Sequence, residues 1–195
     1  MENESLYRRQ GERLEESGVI FAEGWKGLRA YQVDARQDEI PRRKRKMNQR
    51  TRVIDTKKVV SKNKNGQPNG CVISLYKDWE EIFKAEPKQV YLNICSPGEA
   101  KGPHLHNHRW DYFTLIRGSM RFAIKYGPGD YEEIDVHVKD GEGIRIVEVP
   151  PAVPCLMVNI GKEDAWVINM PNPAWHPDQQ DDHPISYEDY VPGKI

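Results

Sequence analysis

Two histidines and an aspartate carry the clearest chemical signal in this chain. His104 and His106 stand two residues apart, and Asp111 follows five residues later. On an extended strand, residues i and i+2 project to one face, so the two imidazoles are expected to point the same way. Two imidazoles and one carboxylate converging on one face suit a divalent transition metal. They suit a proton-transfer site equally well. Cys155, far along the chain, is a further candidate: a thiolate ligates zinc, while a buried cysteine is equally a small core residue. Cations lie close by in Lys101, Arg109, Arg117 and Arg121. Such groups give charge-assisted hydrogen bonds to phosphates or to a developing enolate, and they are also ordinary residues of strand edges. Of the tryptophans, Trp166 reads as core, and Trp175, between prolines, is the better stacking surface for a sugar or base. His108 falls in an expected turn and His137 near a strand end.

These residues need strands to hold them. From Cys71 onward the sequence offers CVISLY, QVYLNIC, DYFTLIRG, MRFAIKYG, YEEIDVHV, GIRIVEV, CLMVNIG and AWVINMP. Each run is short, rich in β-branched and aromatic residues, and bounded by glycine, proline or an acidic turn. Many short strands at this spacing predict an all-β sandwich or barrel, not a parallel α/β sheet. Between them, DWEEIFKAEP places Trp79, Ile82 and Phe83 on one turn, which predicts a short helix stopped by Pro87. Asn-Gly and Pro-Asn-Gly in SKNKNGQPNG mark a turn.

The flanks differ in texture. Residues 18–35 mix apolar residues with glycines and suggest one or two short strands. Pro41 to Arg52 holds seven basic residues and no acid, which reads as a solvated loop or as a phosphate contact. The expected organisation is an N-terminal arm over 1–52, a barrel over 53–176 and a C-terminal coil over 177–195. Formal net charge is -1, which does not point to nucleic acid or an acidic membrane. No run approaches the roughly 20 apolar residues of a membrane span. Three scattered cysteines make no disulfide framework, and a cytoplasmic setting is the expectation.

The stretch PGEAKGPHLHNHRWDYFTLIRG has five residues between Gly98 and His104, and six between Asp111 and Gly118. It resembles the first motif of cupins, with aspartate where most have glutamate. GIRIVEVPPAVPCLMVNIG resembles the second, but Ala152 stands in the usual glycine position and Cys155 in the usual histidine position. A longer likeness, over roughly 53–176, is to dTDP-4-dehydrorhamnose 3,5-epimerase and its sugar-nucleotide relatives. The resemblance implies a cupin jelly roll, from about Val72 to Trp175 in its clearest part, and a homodimer in which an early strand crosses to the partner. It implies action on a nucleotide-linked 4-keto sugar without a cofactor. His104 would be the base, Asp111 the carboxylate that orients it, and His106, Arg117, Arg121, Trp175 and Lys101 substrate contacts. The late-strand tyrosine that returns a proton in those enzymes is missing. Trp175 and His176 stand there; an indole N–H does not ionise usefully, so His176 is the first candidate for the acid, with Tyr112, on the His104 side, the lesser one. Two alternatives stay open. One is a metal-dependent cupin holding one divalent transition metal with His104, His106, Asp111 and Cys155. The other is a non-catalytic cupin that binds a sugar or small ligand.

Overall fold

The computed structural model describes residues 49–139, 143–187 and 190. The expected strands over 18–35 and most of the basic run lie outside the described residues. The strands, in order, are β1 (Arg52–Asp55), β2 (Lys58–Lys62), β3 (Pro68–Ile73), β4 (Tyr91–Cys95), β5 (Ala100–Leu105) and β6 (Asp111–Arg117). There follow β7 (Ser119–Gly127), β8 (Asp130–His137), β9 (Arg145–Val149), β10 (Cys155–Asn159), β11 (Ala165–Asn169) and β12 (His183–Pro184). One five-stranded sheet has the order β1-β9-β6-β11-β4, the other β12-β5-β10-β7-β8, and β2 and β3 form a separate hairpin. Every pairing is antiparallel. Val72, expected in the barrel, belongs to the hairpin, and the first strand of the main sheets is β1.

The core lies between the two sheets, where β4, β6, β9 and β11 of one meet β7, β8 and β10 of the other. Phe113, Leu115, Met120, Phe122, Ile124, Val147 and Val167 fill it, all buried. Period-2 alternation explains their selection. In β4, Tyr91, Asn93 and Cys95 turn inward, while Leu92 and Ile94 are 44% and 47% exposed. Strand β6 departs from alternation because both its faces are covered. Tyr112, on its outer side, is fully buried under the 74–90 segment.

That segment is where the short helix was expected. It forms turns instead, with Glu80 N–H donating to Lys77 O and Ile82 N–H to Glu80 O. A single helical turn gains too few hydrogen bonds to offset the cost of nucleation. Its apolar residues do not share a buried face either, since Trp79 is 76% exposed. Phe83 anchors it, stacked on Tyr112 at 4.0 Å between ring centroids, with Leu75 and Tyr76 packed on the same cluster and Ala85 N–H donating to Tyr112 Oη. The outer face of the second sheet is covered by the C-terminal segment. Tyr187 and Tyr190 pack there against Tyr131, and Tyr187 donates to Pro154 O at 2.8 Å.

The second-motif turn shows what Ala152 replaces. Its φ is +62°, a left-handed conformation that favours glycine, and its N–H donates to His106 O. Asn159 donates to the carbonyls of Cys95 and Glu163 and accepts from Gly161 N–H, closing the turn from β10 into β11.

Candidate functional site

Strand β5 carries His104 to the end of the barrel through an irregular register. His104 pairs with Cys155, but Lys101 pairs with Met157, so three residues of β5 match two of β10. Directly opposed residues of an antiparallel pair share a face. The bulge therefore keeps both His104 and Lys101 on the side of Cys155 and Met157. Gly102 makes this possible. Its φ is +86°, and a Cβ there would lie 2.8 Å from Cys155 O.

His106 follows β5, and Asp111 opens β6. His106 Nδ1 lies 2.6 Å from Asp111 Oδ2. The other carboxylate oxygen accepts from Asn169 Nδ2 at 2.8 Å, and the same amide donates to Tyr91 Oη at 2.7 Å. The chain His106–Asp111–Asn169–Tyr91 thus runs across β6, β11 and β4, with the Asp111 side chain 3% exposed. His104 has a different carboxylate: its Nδ1 lies 2.8 Å from Asp182 Oδ1. The same oxygen is 3.6 Å from His106 Nε2, which is sealed from solvent and has no hydrogen-bond partner. The expected pairing of Asp111 with His104 is therefore corrected. Asp111 orients His106, because both its oxygens are taken up beneath that ring, and Asp182 orients His104.

Asp182 arrives on the C-terminal segment. β12 pairs with β5, setting Pro184 opposite His104. Asp181 beside it accepts from the backbone N–H groups of Asn107, His108 and Arg109 at 2.8, 2.8 and 3.1 Å. The coil expected over 177–195 thus fixes the loop between the histidines and Asp111.

Electrostatics follow from these contacts. Burial pulls the His106 imidazole down and is the largest single effect. The hydrogen bond to Asp111, the Asp182 carboxylate nearby and the Asp111 charge together outweigh it and raise the pKa to about 9. The His104 hydrogen bond, and then the His106 imidazole nearby, hold the Asp182 carboxyl well below the usual carboxylate range. Burial, with the Asp111 charge, pushes the Cys155 thiol well up. Burial and then the Asp111 charge raise the Tyr91 phenol.

The remaining expected residues separate into near and far. Arg117 sits six residues along β6 from Asp111, roughly 20 Å away, bidentate to Glu163 and over the Trp166 ring. Arg121 is held by Asp135 and Glu133 on β8. Both cations serve ion pairs of the sheet, as strand-edge residues commonly do. Trp175 is 50% exposed, with its N–H on Gln89 Oε1. His176 Nδ1 lies 3.8 Å from Asp178, and no contact joins it to the histidine cluster. His108 is exposed in the turn, and exposed His137 bonds Ser119 Oγ. His104 Nδ1 or Nε2, His106 and Asp182 present ligand atoms all within 4.8 Å of one another, a set that includes neither Asp111 nor Cys155.

Tyr91, Asn169, Asp181 and Asp182 were not anticipated. The alternation of YLNIC marks Tyr91 as inward, and AWVIN marks Asn169 as a polar residue at a buried parity. Nothing in DQQDDHP distinguishes Asp182 from an acidic coil.

A jelly roll of two antiparallel sheets, with an imidazole cluster at the end of β5 and β6, defines a cupin-type barrel of the shape found in sugar-nucleotide isomerases and epimerases. It matches the dTDP sugar isomerase of Desulfovibrio desulfuricans G20 with a TM-score of 0.58 and 14% identity, covering 72% of this chain and 87% of that one. It matches the 3'-monoepimerase ChmJ of Streptomyces bikiniensis, solved with dTDP-quinovose, at 0.55 and 12%, over 72% of each chain. A 3,4-ketoisomerase of Helicobacter canadensis matches at 0.53 and 13%, over 68% of this chain and 88% of that one. No curated protein matches. The family model described as polysaccharide biosynthesis C-terminal domain matches residues 78–183, more than half of the chain, and the protein belongs to that family.

Proposed function

We propose that this protein is an isomerase of nucleotide-linked 4-keto sugars that works by removing a proton from the carbon next to the ketone. The observation that carries the reading is the His104–Asp182 contact. With Nδ1 held by a carboxylate at 2.8 Å, the neutral ring keeps its lone pair on Nε2, and the side chain is 48% exposed at the barrel end. A carboxylate-oriented imidazole at an open site is a competent general base. His106, oriented by Asp111, lies behind it, with its Nε2 3.6 Å from the Asp182 oxygen that holds His104.

One base favours a carbonyl shift over epimerisation at two carbons. His104 takes the proton from C3, and electrons move to the C4 oxygen. The C3 hydroxyl proton passes to that oxygen. His104 then returns its proton to C4, leaving the carbonyl at C3. No second acid on the opposite sugar face is required, in keeping with the missing late-strand tyrosine and the remote His176. Action on a nucleotide sugar is supported by the fold shared with proteins named dTDP-sugar isomerase and 3,4-ketoisomerase. The test is mass spectrometry of a panel of nucleotide-linked 4-keto sugars incubated with the protein in deuterated water. Deuterium at the carbon beside the ketone, with product of unchanged mass formula in ordinary water, is the expected result. No uptake on any member speaks against the reading.

A second reading has its own observation. His104, His106 and Asp182 form a two-histidine, one-carboxylate set suited to a divalent transition metal. Asp111 on His106 Nδ1 is the kind of outer carboxylate that fixes ligand tautomers. Elemental analysis of protein purified without chelator decides between the two. One equivalent of zinc, iron, nickel or manganese, lost in His106→Ala, would favour the metal-dependent cupin.

A further inference from the structure

We propose that Asn169 is a positioning residue of the reaction: its side-chain amide fixes Asp111 on His106, and through His106 it sets the Asp182 carboxylate that holds the base His104. The inference deepens the reading above and rests on it for the kinetic readout alone.

Asn169 ends β11, which lies between β6 and β4. It stands directly opposite Phe113 on one side and Tyr91 on the other, and opposed residues share a face. Asp111, two residues before Phe113, has the same parity. Polar side chains from three neighbouring strands therefore meet inside the barrel, where Asn169 is 1% exposed. Both N–H groups of its amide are engaged, one on Asp111 Oδ1 at 2.8 Å and one on Tyr91 Oη at 2.7 Å. Its Oδ1 is sealed from solvent and has no partner.

An amide buried for stability alone pairs all its polar atoms. This one leaves its acceptor empty and turns both donors the other way. Charge dictates the orientation. An ionised carboxylate only accepts, so the reversed amide would set its own oxygen against Asp111 Oδ1. With Asp111 held in this way, its second oxygen meets His106 Nδ1 at 2.6 Å. The far side of that ring, Nε2, lies 3.6 Å from Asp182 Oδ1, the oxygen that meets His104 Nδ1 at 2.8 Å. One row of contacts thus runs from Asn169, sealed in the interior, to His104, half exposed at the barrel end. Misplacing a reacting group by about 1 Å costs on the order of 100-fold in rate, so the inner end of the row matters as well as the outer.

The test compares the wild type with Asn169→Ala, with Asn169→Asp, and with Asn169→Asp combined with Asp111→Asn. Asn169→Asp keeps the shape of the amide but sets two acceptors against each other. The combined variant again faces one donor with one acceptor, in reversed order, and leaves a carbonyl to accept from His106 Nδ1. The readouts are melting temperature, the His106 imidazole N–H signal in proton NMR of isotope-labelled protein, and kcat and KM for deuterium exchange of a 4-keto nucleotide sugar. Because Asn169 is sealed from solvent, KM is expected to stay within about 2-fold in both single variants while kcat falls roughly 10- to 100-fold. The combined variant is expected to regain about 10-fold in kcat over Asn169→Asp. The His106 N–H signal, far downfield in the wild type, is expected to move upfield or vanish in Asn169→Ala. Folded single variants with wild-type kcat overturn the proposal. So does a rise in KM at constant kcat, which would make Asn169 a ligand contact, and so does a combined variant that recovers nothing. Should Asn169→Asp fail to fold, the combined variant is compared with Asp111→Asn instead: a higher kcat supports the proposal, and an equal or lower one overturns it. If no sugar exchanges with the wild type, the isomerase reading alone fails, and a His106 signal unchanged in folded Asn169→Ala is then the result that overturns the positioning role.

Discussion

At the residue scale, the site is governed by which carboxylate holds which imidazole. Asp111 lies beneath His106 with both oxygens engaged, and Asp182 reaches in from the C-terminus to His104. The two rings are therefore prepared differently, one enclosed and held positive, the other open with a free Nε2. The raised pKa of His106 has a stability consequence with a defined sign. A group raised from 6.5 to about 9 contributes its full stabilisation below the lower value and loses it as pH rises through the upper one. Titration followed by NMR should place the His106 imidazole near 9. In Asp111→Asn, burial is opposed by Asp182 alone, and the midpoint should fall by at least about one unit. The decline in melting temperature between those pH values should shrink in the same variant. A His106 midpoint untouched by the substitution would contradict the assigned pairing.

At the element scale, the C-terminal segment and the turn before β10 hold the site's backbone. Ala152 at φ +62° adopts a conformation that costs an L-residue about 1–2 kcal/mol, while its N–H supports His106 O. Ala152→Gly should stabilise the protein by about 0.5–1 kcal/mol, measured by denaturant unfolding, because the relief exceeds the added chain entropy of glycine. A loss of stability would mean that the turn is not strained. The same position shows what was legible beforehand. The second cupin motif expects glycine there, and the structure supplies the reason. The strand runs and the turn at 63–66 were also readable, because period-2 alternation and turn chemistry are local. The Asp182–His104 contact was not readable. It joins residues 78 positions apart through a two-residue strand with no apolar pattern. Nor was the fate of DWEEIFKAEP, where a plausible helical turn yields to an aromatic stack on Tyr112.

At the scale of the whole molecule, several apolar side chains stand exposed among the described residues. Val59, Val60 and Val72 on the β2–β3 hairpin are 62%, 54% and 61% exposed, and Leu92 and Ile94 point outward from the edge strand β4. A two-stranded hairpin is marginal alone in water, and an exposed edge strand invites pairing. A second copy of the chain is the expected cover. Light scattering after size-exclusion chromatography should give a dimer at micromolar concentration, and Val60→Lys with Ile94→Lys should give a monomer with an unchanged far-UV spectrum. A monomeric wild type would remove this expectation.

The account stands most directly on His104. The decisive measurement is the rate of solvent deuterium incorporation beside the ketone of a 4-keto nucleotide sugar, for wild type, His104→Ala and His176→Ala. The predicted result is a loss of at least about 100-fold in His104→Ala, the contribution expected of a positioned base, with His176→Ala close to wild type. Exchange that survives in His104→Ala, or that is lost instead in His176→Ala, would contradict it.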